Sequence, residues 1–271
     1  SNTPPALTSG PADIAVVGES LALGHCVPPG KSAVDVIRKQ IPRTANFGVA
    51  GSRVLSHLGA FREYVEPLQP PAGLWFVNIN YAHPREEADQ PVLRRYLEDP
   101  TFSQDLIHRQ DEVDSMVRDI VVPAIAKEDE KLRQELAQPV PLQRLVKLRE
   151  VRSLIDLSPA LRRPTPPPDL SRFDAAIRLA ARTVDAWGGR LIVVILPNYG
   201  VALGGRNARY DEVVDVLNAA PVEVVNGVAL FAAQPDVRSL YTLRIDNPPR
   251  QKGHALLANA ILTALRHEEA K

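Results

Sequence analysis

Short apolar runs separated by longer amphipathic stretches set the rhythm of this chain. Asp13 to Val17, Leu74 to Asn80, Arg190 to Leu196 and Val222 to Asn226 are rich in branched residues and read as buried parallel strands. Thr44 to Phe47, just before Gly48, is a weaker fifth strand. The intervals between them carry apolar residues at helical spacing. Ser32 is placed to cap a helix holding Val34 and Ile37, while Val54, Leu58, Phe61 and Val65 mark the inner face of a second. Phe173, Ile177, Ala180 and Val184 continue the series up to Gly188-Gly189, and Leu257, Ile261 and Leu265 define a last helix after Gly253. Strand and helix in alternation predict the α/β class, with a doubly wound, mostly parallel sheet of five strands and helices on both faces.

The stretch from about Pro84 to Pro168 breaks this rhythm, because it is charged, punctuated by proline and longer than a crossover needs. It reads as a helical insertion within one flavodoxin-like domain spanning residues 12–271. Phe102, Leu106, Val113, Val117 and Ile120 fall on one helical stripe, Lys127 to Glu135 is mostly a solvated face, and Pro164 to Pro168 is a stiff linker back to the sheet. A lid or wall over a site at the carboxyl edge of the sheet fits this segment, and so does a packing or dimer appendage. Ser1-Asn2 reads as a cloning scar and residues 1–11 as a flexible lead-in, so native sequence upstream is expected to be missing.

Composition narrows the partners. Apolar residues make up 45 % of the 271 and charged ones 24 %, the balance of a soluble globular protein with a sizeable core. Lys+Arg and Asp+Glu are equal at 32, so no general attraction to nucleic acid or anionic lipid is expected, and neutral partners are easier to justify. The single cysteine, Cys26, rules out an internal disulfide, and with no paired His spacing no metal site is expected. No window approaches the roughly 18 to 20 apolar residues that cross a membrane, so attachment to one is expected only through a missing upstream anchor. A charge-neutral domain with a clipped start fits a tethered periplasmic module and also a cytoplasmic enzyme; the reading leans to the extracytoplasmic side.

Candidate chemistry gathers where strands end. Gly18-Glu19-Ser20 follows the first strand directly, which delivers a serine hydroxyl to the carboxyl edge of the sheet, where α/β proteins place ligands. A capping serine at a strand-to-helix turn accounts for the same residues equally well. After the second strand, Asn46-Phe47-Gly48-Val49-Ala50-Gly51-Ser52 has two glycines that let backbone N–H groups approach a ligand, and Gly51 is the candidate oxyanion donor. After the third, Asn78 and Asn80 interrupt an apolar strand on one face, and Asn80 is the better placed carboxamide. A nucleotide-binding reading finds no support: no Gly-x-Gly-x-x-Gly follows a strand and no Gly-x-x-x-x-Gly-Lys-Ser/Thr is present, so no cofactor is implied.

These blocks in this order resemble the SGNH (GDSL-like) hydrolase family. The resemblance covers nearly the whole chain outside the insertion. It implies that Ser20 is the nucleophile, that the amides of Ser20 and Gly51 and the carboxamide of Asn80 form the oxyanion hole, and that a late Asp-x-x-His segment completes a triad. Glu19 stands where the family has Asp, and the third block departs from the family's Gly-x-Asn-Asp. The last block departs furthest. Asp246 is present, but counting back from Gly253 puts Pro248 at the histidine position, and a proline cannot act as a base.

Three histidines remain as substitutes: His254 beside the last helix, His83 just past the third strand, and His25 five residues beyond Ser20. His254 shares a helical face with Leu257, Ala258 and Ile261, which favours packing for it. His57, His108 and His267 lie on expected helices and read as surface residues. Two functions follow from the resemblance. One is a serine esterase acting on small acyl groups of a carbohydrate or similar carrier through an acyl-serine. The other is an inactive relative that keeps the pocket to bind such a ligand or a protein.

Overall fold

The computed structural model describes residues 11–80, 82, 90–137, 169–242 and 249–266. The chain divides into two compact units, one of Ser1–Asp105 with Pro168–Lys271 and one of Leu106–Pro167.

The first unit is built on five parallel strands: β1 (Ile14–Gly18), β2 (Thr44–Gly48), β3 (Ala72–Val77), β4 (Arg190–Ile195) and β5 (Glu223–Asn226). Their order is β2-β1-β3-β4-β5, the flavodoxin-like arrangement that the alternation predicts. The third strand stops at Val77, three residues short of its expected end, because Asn78 turns its Oδ1 onto the N–H of Asn80 and takes the chain out of the sheet. Around the sheet lie α1 (Ser20–Leu23), α2 (Ala33–Gln40), α3 (Val54–Ala60), α4 (Pro91–Glu98), α7 (Ser171–Ala186), α8 (Tyr199–Ala202), α9 (Ala208–Asn218), α10 (Gly227–Ala232) and α11 (Gln251–Arg266). After Ala60, α3 runs on through a π turn at Phe61–Val65.

Pleat alternation sorts the core into two layers. Val17, Trp75, Val77, Val193 and Ile195 face Leu58 and Phe61 of the α3 segment, Phe173 and Ile177 of α7, and Val213 of α9. Val16, Leu74, Phe76, Ile192 and Val194 face Val34 and Ile37 of α2, Phe231 of α10, and Leu257 and Ile261 of α11. The expected helix stops and starts hold at both ends. Ser32 caps α2 in a reciprocal box with Asp35, and Gly188 takes a φ of 75° just past the end of α7. The last helix opens at Gln251, earlier than expected, since the His254 N–H already closes a turn onto the Arg250 carbonyl.

Part of the expected insertion belongs to this first unit. Tyr96 of α4 is buried against Gly59, and its hydroxyl donates to the buried carboxylate of Glu63 at 2.8 Å. Glu63 also accepts from the Gln104 backbone at 2.6 Å, which ties residues 90–105 to the sheet-bearing body. The expected stripe from Phe102 to Ile120 is corrected in its first half: Phe102 lies in a loop, its ring tilted against that of Tyr96 with centroids 4.9 Å apart. Asp99 draws the N–H and hydroxyl of Thr101 into a turn, and Asp105 has a φ of 56°, so no helix runs through these residues.

Among the described residues of the second unit, α5 (Gln110–Met116) leads through a π turn at Val117–Val121 into α6 (Val122–Ala137). Val117, Ile120, Val121 and Ile125 are exposed on this run.

Candidate functional site

The sheet order reverses between β1 and β3: the chain steps outward from β1 to β2 and then returns to the other side of β1. In open α/β sheets the crevice at such a point is where ligands bind. The residues that leave β1 and β3 here are Gly18-Glu19-Ser20 and Asn78.

Ser20 opens α1, a single turn whose placement needs two bare backbones. A Cβ on Gly18 would sit 2.6 Å from Phe76 Cβ, and one on Gly48 would sit 2.7 Å from Ala22 Cβ and 2.8 Å from the Leu23 amide. The turn therefore nests directly on β2 and on the end of β1. Asn46 fastens it from below: its Nδ2 donates to the Ala22 carbonyl at 2.7 Å, and its Oδ1 accepts the Gly48 N–H at 2.9 Å. Glu19, 4 % exposed, caps the turn with Oε1 on the Leu21 N–H, and its Oε2 accepts the hydroxyl proton of Ser20.

Above this turn lies a cavity of about 240 Å³ lined by Glu19, Ser20, His25, Asn78 and Asn198, with Pro249 on its wall. His25 is exposed and its backbone N–H bonds the Ser20 carbonyl at 2.9 Å, so the loop after α1 folds back over the serine. The Oδ1 of Asn78 is taken by the Asn80 N–H at 3.0 Å, which leaves the Nδ2 donor as the group the carboxamide can offer. Asn198 is engaged as the cap of α8, with Oδ1 on the Val201 N–H at 3.2 Å.

A neighbouring cavity of about 290 Å³ is lined by Val49, Gly51, Ser52 and His57. Ser52 Oγ lies 2.5 Å from the Val49 carbonyl, 3.3 Å from the Gly18 carbonyl and 2.9 Å from Nε2 of His57. His57 is 4 % exposed and packs edge-on to Trp75 with ring centroids 6.0 Å apart. Burial pushes its pKa down to about 3, against the pull of its hydrogen bond to the Ser52 backbone. The sequence reading that placed His57 on the surface is corrected here: it lies three residues from Val54 and one from Leu58, on the helix face that meets the sheet.

The residues expected to act together are distributed as follows. Ser20 and His25 share the first cavity. Asn78, and not the exposed Asn80, is the carboxamide that lines it, because the chain has already left the strand by residue 80. Gly51, with a φ of 76°, lines the second cavity. Its loop is held to the serine turn through the Val49 N–H on the Gly18 carbonyl at 2.9 Å.

His254 is fully buried and its Nδ1 accepts the Ala33 N–H at 3.0 Å, so it serves as a cap for α2 and does not line the serine cavity. Burial lowers its pKa to about 4. Asp246, Pro248 and His83 lie outside the described residues. Sequence reasoning passed over Glu19 as a chemical group and missed Asn198 and Pro249; only the end of a strand run at Leu196 pointed toward Asn198. Among the described residues no cluster of His, Cys, Asp and Glu is arranged to hold a metal ion, and no helix is long and apolar enough to cross a membrane.

No family model matches the chain, and no curated protein does. Solved structures do. The protein YXIM from Bacillus subtilis aligns at a TM-score of 0.50 and 10 % identity, over 96 % of this chain and 57 % of that one. A protein described as lipolytic and of the G-D-S-L family, from Desulfitobacterium hafniense, aligns at 0.47 and 14 % identity, over 92 % and 96 %. Axe2, an acetylxylan esterase from Geobacillus stearothermophilus, aligns at 0.48 and 14 % identity, over 96 % of each chain. These likenesses are of fold alone, the five parallel strands in the order β2-β1-β3-β4-β5.

Proposed function

We propose that this chain is a serine ester hydrolase that removes small acyl groups from a carbohydrate or a related hydroxylated carrier. One observation carries the reading: the half-exposed Ser20 hydroxyl stands at the switch point of the sheet, in a cavity that also holds a carboxamide donor at Asn78. Attack of Oγ on an acyl carbonyl places negative charge on the former carbonyl oxygen. The Ser20 amide and the Asn78 Nδ2 are the donors for it, and losing such a donor costs about 3 to 4 kcal/mol of transition-state stabilisation. A cavity of about 240 Å³ with polar groups on its wall suits an acetyl-sized group better than a long acyl chain.

The experiment is turnover of p-nitrophenyl acetate by the purified chain beside its Ser20→Ala variant. The expected result is hydrolysis that the substitution removes. A second reading, a domain that keeps the cavity for binding alone, is favoured by the commitment of His254 to the Ala33 amide. Equal inertness of the two proteins removes the first reading and leaves the second standing.

A further inference from the structure

The hydroxyl of Ser20 finds its hydrogen-bond acceptor one residue back in the chain, on a carboxylate. We propose that Glu19 is the general base of Ser20, a role that rests on the hydrolase function proposed above. In this hydrogen bond the serine hydroxyl donates and the carboxylate oxygen accepts, which is the polarity that deprotonation of the nucleophile requires.

The two oxygens of Glu19 divide the work. Oε1 accepts the Leu21 N–H in a long bond of 3.4 Å, and Oε2 accepts the hydroxyl. The side chain is 4 % exposed yet lines the cavity, so it is screened from bulk water and open to a bound acyl group. Other titratable groups on the cavity wall are His25 and Cys26, both exposed, and the Ser20 hydroxyl is bonded to neither. The two buried imidazoles are occupied elsewhere, His57 with Ser52 and His254 with Ala33.

The proton count closes. As Ser20 Oγ forms its bond to the acyl carbon, its proton passes to Glu19 Oε2. When the carbon–oxygen bond to the leaving alcohol breaks, that proton goes to the departing oxygen. Water then gives a proton to Glu19 as its oxygen adds to the acyl-serine, and the proton returns to Oγ as the carboxylic acid leaves. The sum is ester plus water giving acid plus alcohol.

Glu19→Gln keeps an oxygen for the Leu21 amide and removes the base. Its kcat/KM for p-nitrophenyl acetate is expected to fall about 10²- to 10⁴-fold, with an unchanged circular dichroism spectrum. In the parent, kcat/KM is expected to stay level between about pH 7 and 6, the interval in which an imidazole base would be lost. Glu19→Ala is expected to regain rate in proportion to added formate, which a residue that merely caps α1 would not do. A folded Glu19→Gln protein that keeps pace with an active parent overturns the proposal and leaves the hydrolase reading standing. So does a fall between pH 7 and 6 that His25→Asn removes. A parent as inert as Ser20→Ala overturns both readings together.

Discussion

Two serines stand at the same edge of this sheet, and each has a partner that catalytic chemistry knows. Ser52 has the histidine, with Nε2 of His57 at 2.9 Å, while Ser20 has a carboxylate. By residue type alone Ser52 looks better equipped. Its surroundings say otherwise: His57 is sealed against Trp75 with a pKa near 3, and the Ser52 hydroxyl rests on the carbonyls of Val49 and Gly18. An imidazole that resists protonation so strongly is a poor proton acceptor, and a hydroxyl spent on carbonyls is a brace. Ser20 has the reverse set, a hydroxyl open to a cavity and an acceptor held in place by a backbone amide. The pair with the familiar chemistry joins two loops, and the less familiar one faces the ligand space.

The largest effect that can break this comparison is covalent. A fluorophosphonate applied to the purified chain is expected to modify the peptide containing Ser20, and Ser20→Ala to lower the labelling rate about a thousandfold or more. Ser52→Ala is expected to stay within about tenfold of the parent, since it loosens a brace and removes no nucleophile. Label found on Ser52 by peptide mass spectrometry would invert the assignment.

Next in size is the cost of emptying the brace. His57→Ala removes a buried ring from its contact with Trp75 and leaves the Ser52 pair broken. A loss of about 2 to 4 kcal/mol in the free energy of unfolding is expected, read from urea midpoints. A loss below about 1 kcal/mol would mean that the pair is not a structural element, and the contrast with Ser20 would weaken accordingly.

The fold was legible because its signals are local and repeated. The runs of β1, β3 and β4 are apolar on both faces, and Ser32 and Gly188 punctuate their helices as their chemistry requires. Much of the site was legible for the same reason: a Gly-acid-Ser turn after a strand can hardly avoid the carboxyl edge. What sequence could not reveal depends on where a strand stops and what a neighbour covers. Asn78 displaced Asn80 because a side-chain bond to the Asn80 amide ends the third strand, a competition between side chain and ladder that propensity does not resolve. His57 was misjudged because one helical position decides between face and flank. The reach of Glu19 back to its neighbour's hydroxyl depends on a cap geometry, φ −94° and ψ −154°, that a motif match ignores. Asp246 and His83 fall outside the described residues, and their contribution stays with the sequence argument alone.

The smallest expected effect is graded and depends on acid. A histidine whose folded pKa is depressed is protonated first in the unfolded chain. Above the ordinary imidazole value of about 6.5, His57 is neutral in both states and the protein loses nothing. As the pH falls below that value toward about 3, the unfolded chain gains a proton that the folded one refuses. Stability then drops by about 1.4 kcal/mol per pH unit for His57, and by a similar amount for His254 down to about 4. Urea midpoints taken between about pH 6 and 5, above most carboxylate titrations, isolate this slope. His57→Ala is expected to make it shallower by its own share, whereas Ser20→Ala, which touches neither ring, leaves it as it was. An unchanged slope in His57→Ala would mean that the ring takes up its proton in the folded state. It would then be within reach of water, and Ser52 would regain its claim to be a nucleophile with a working base.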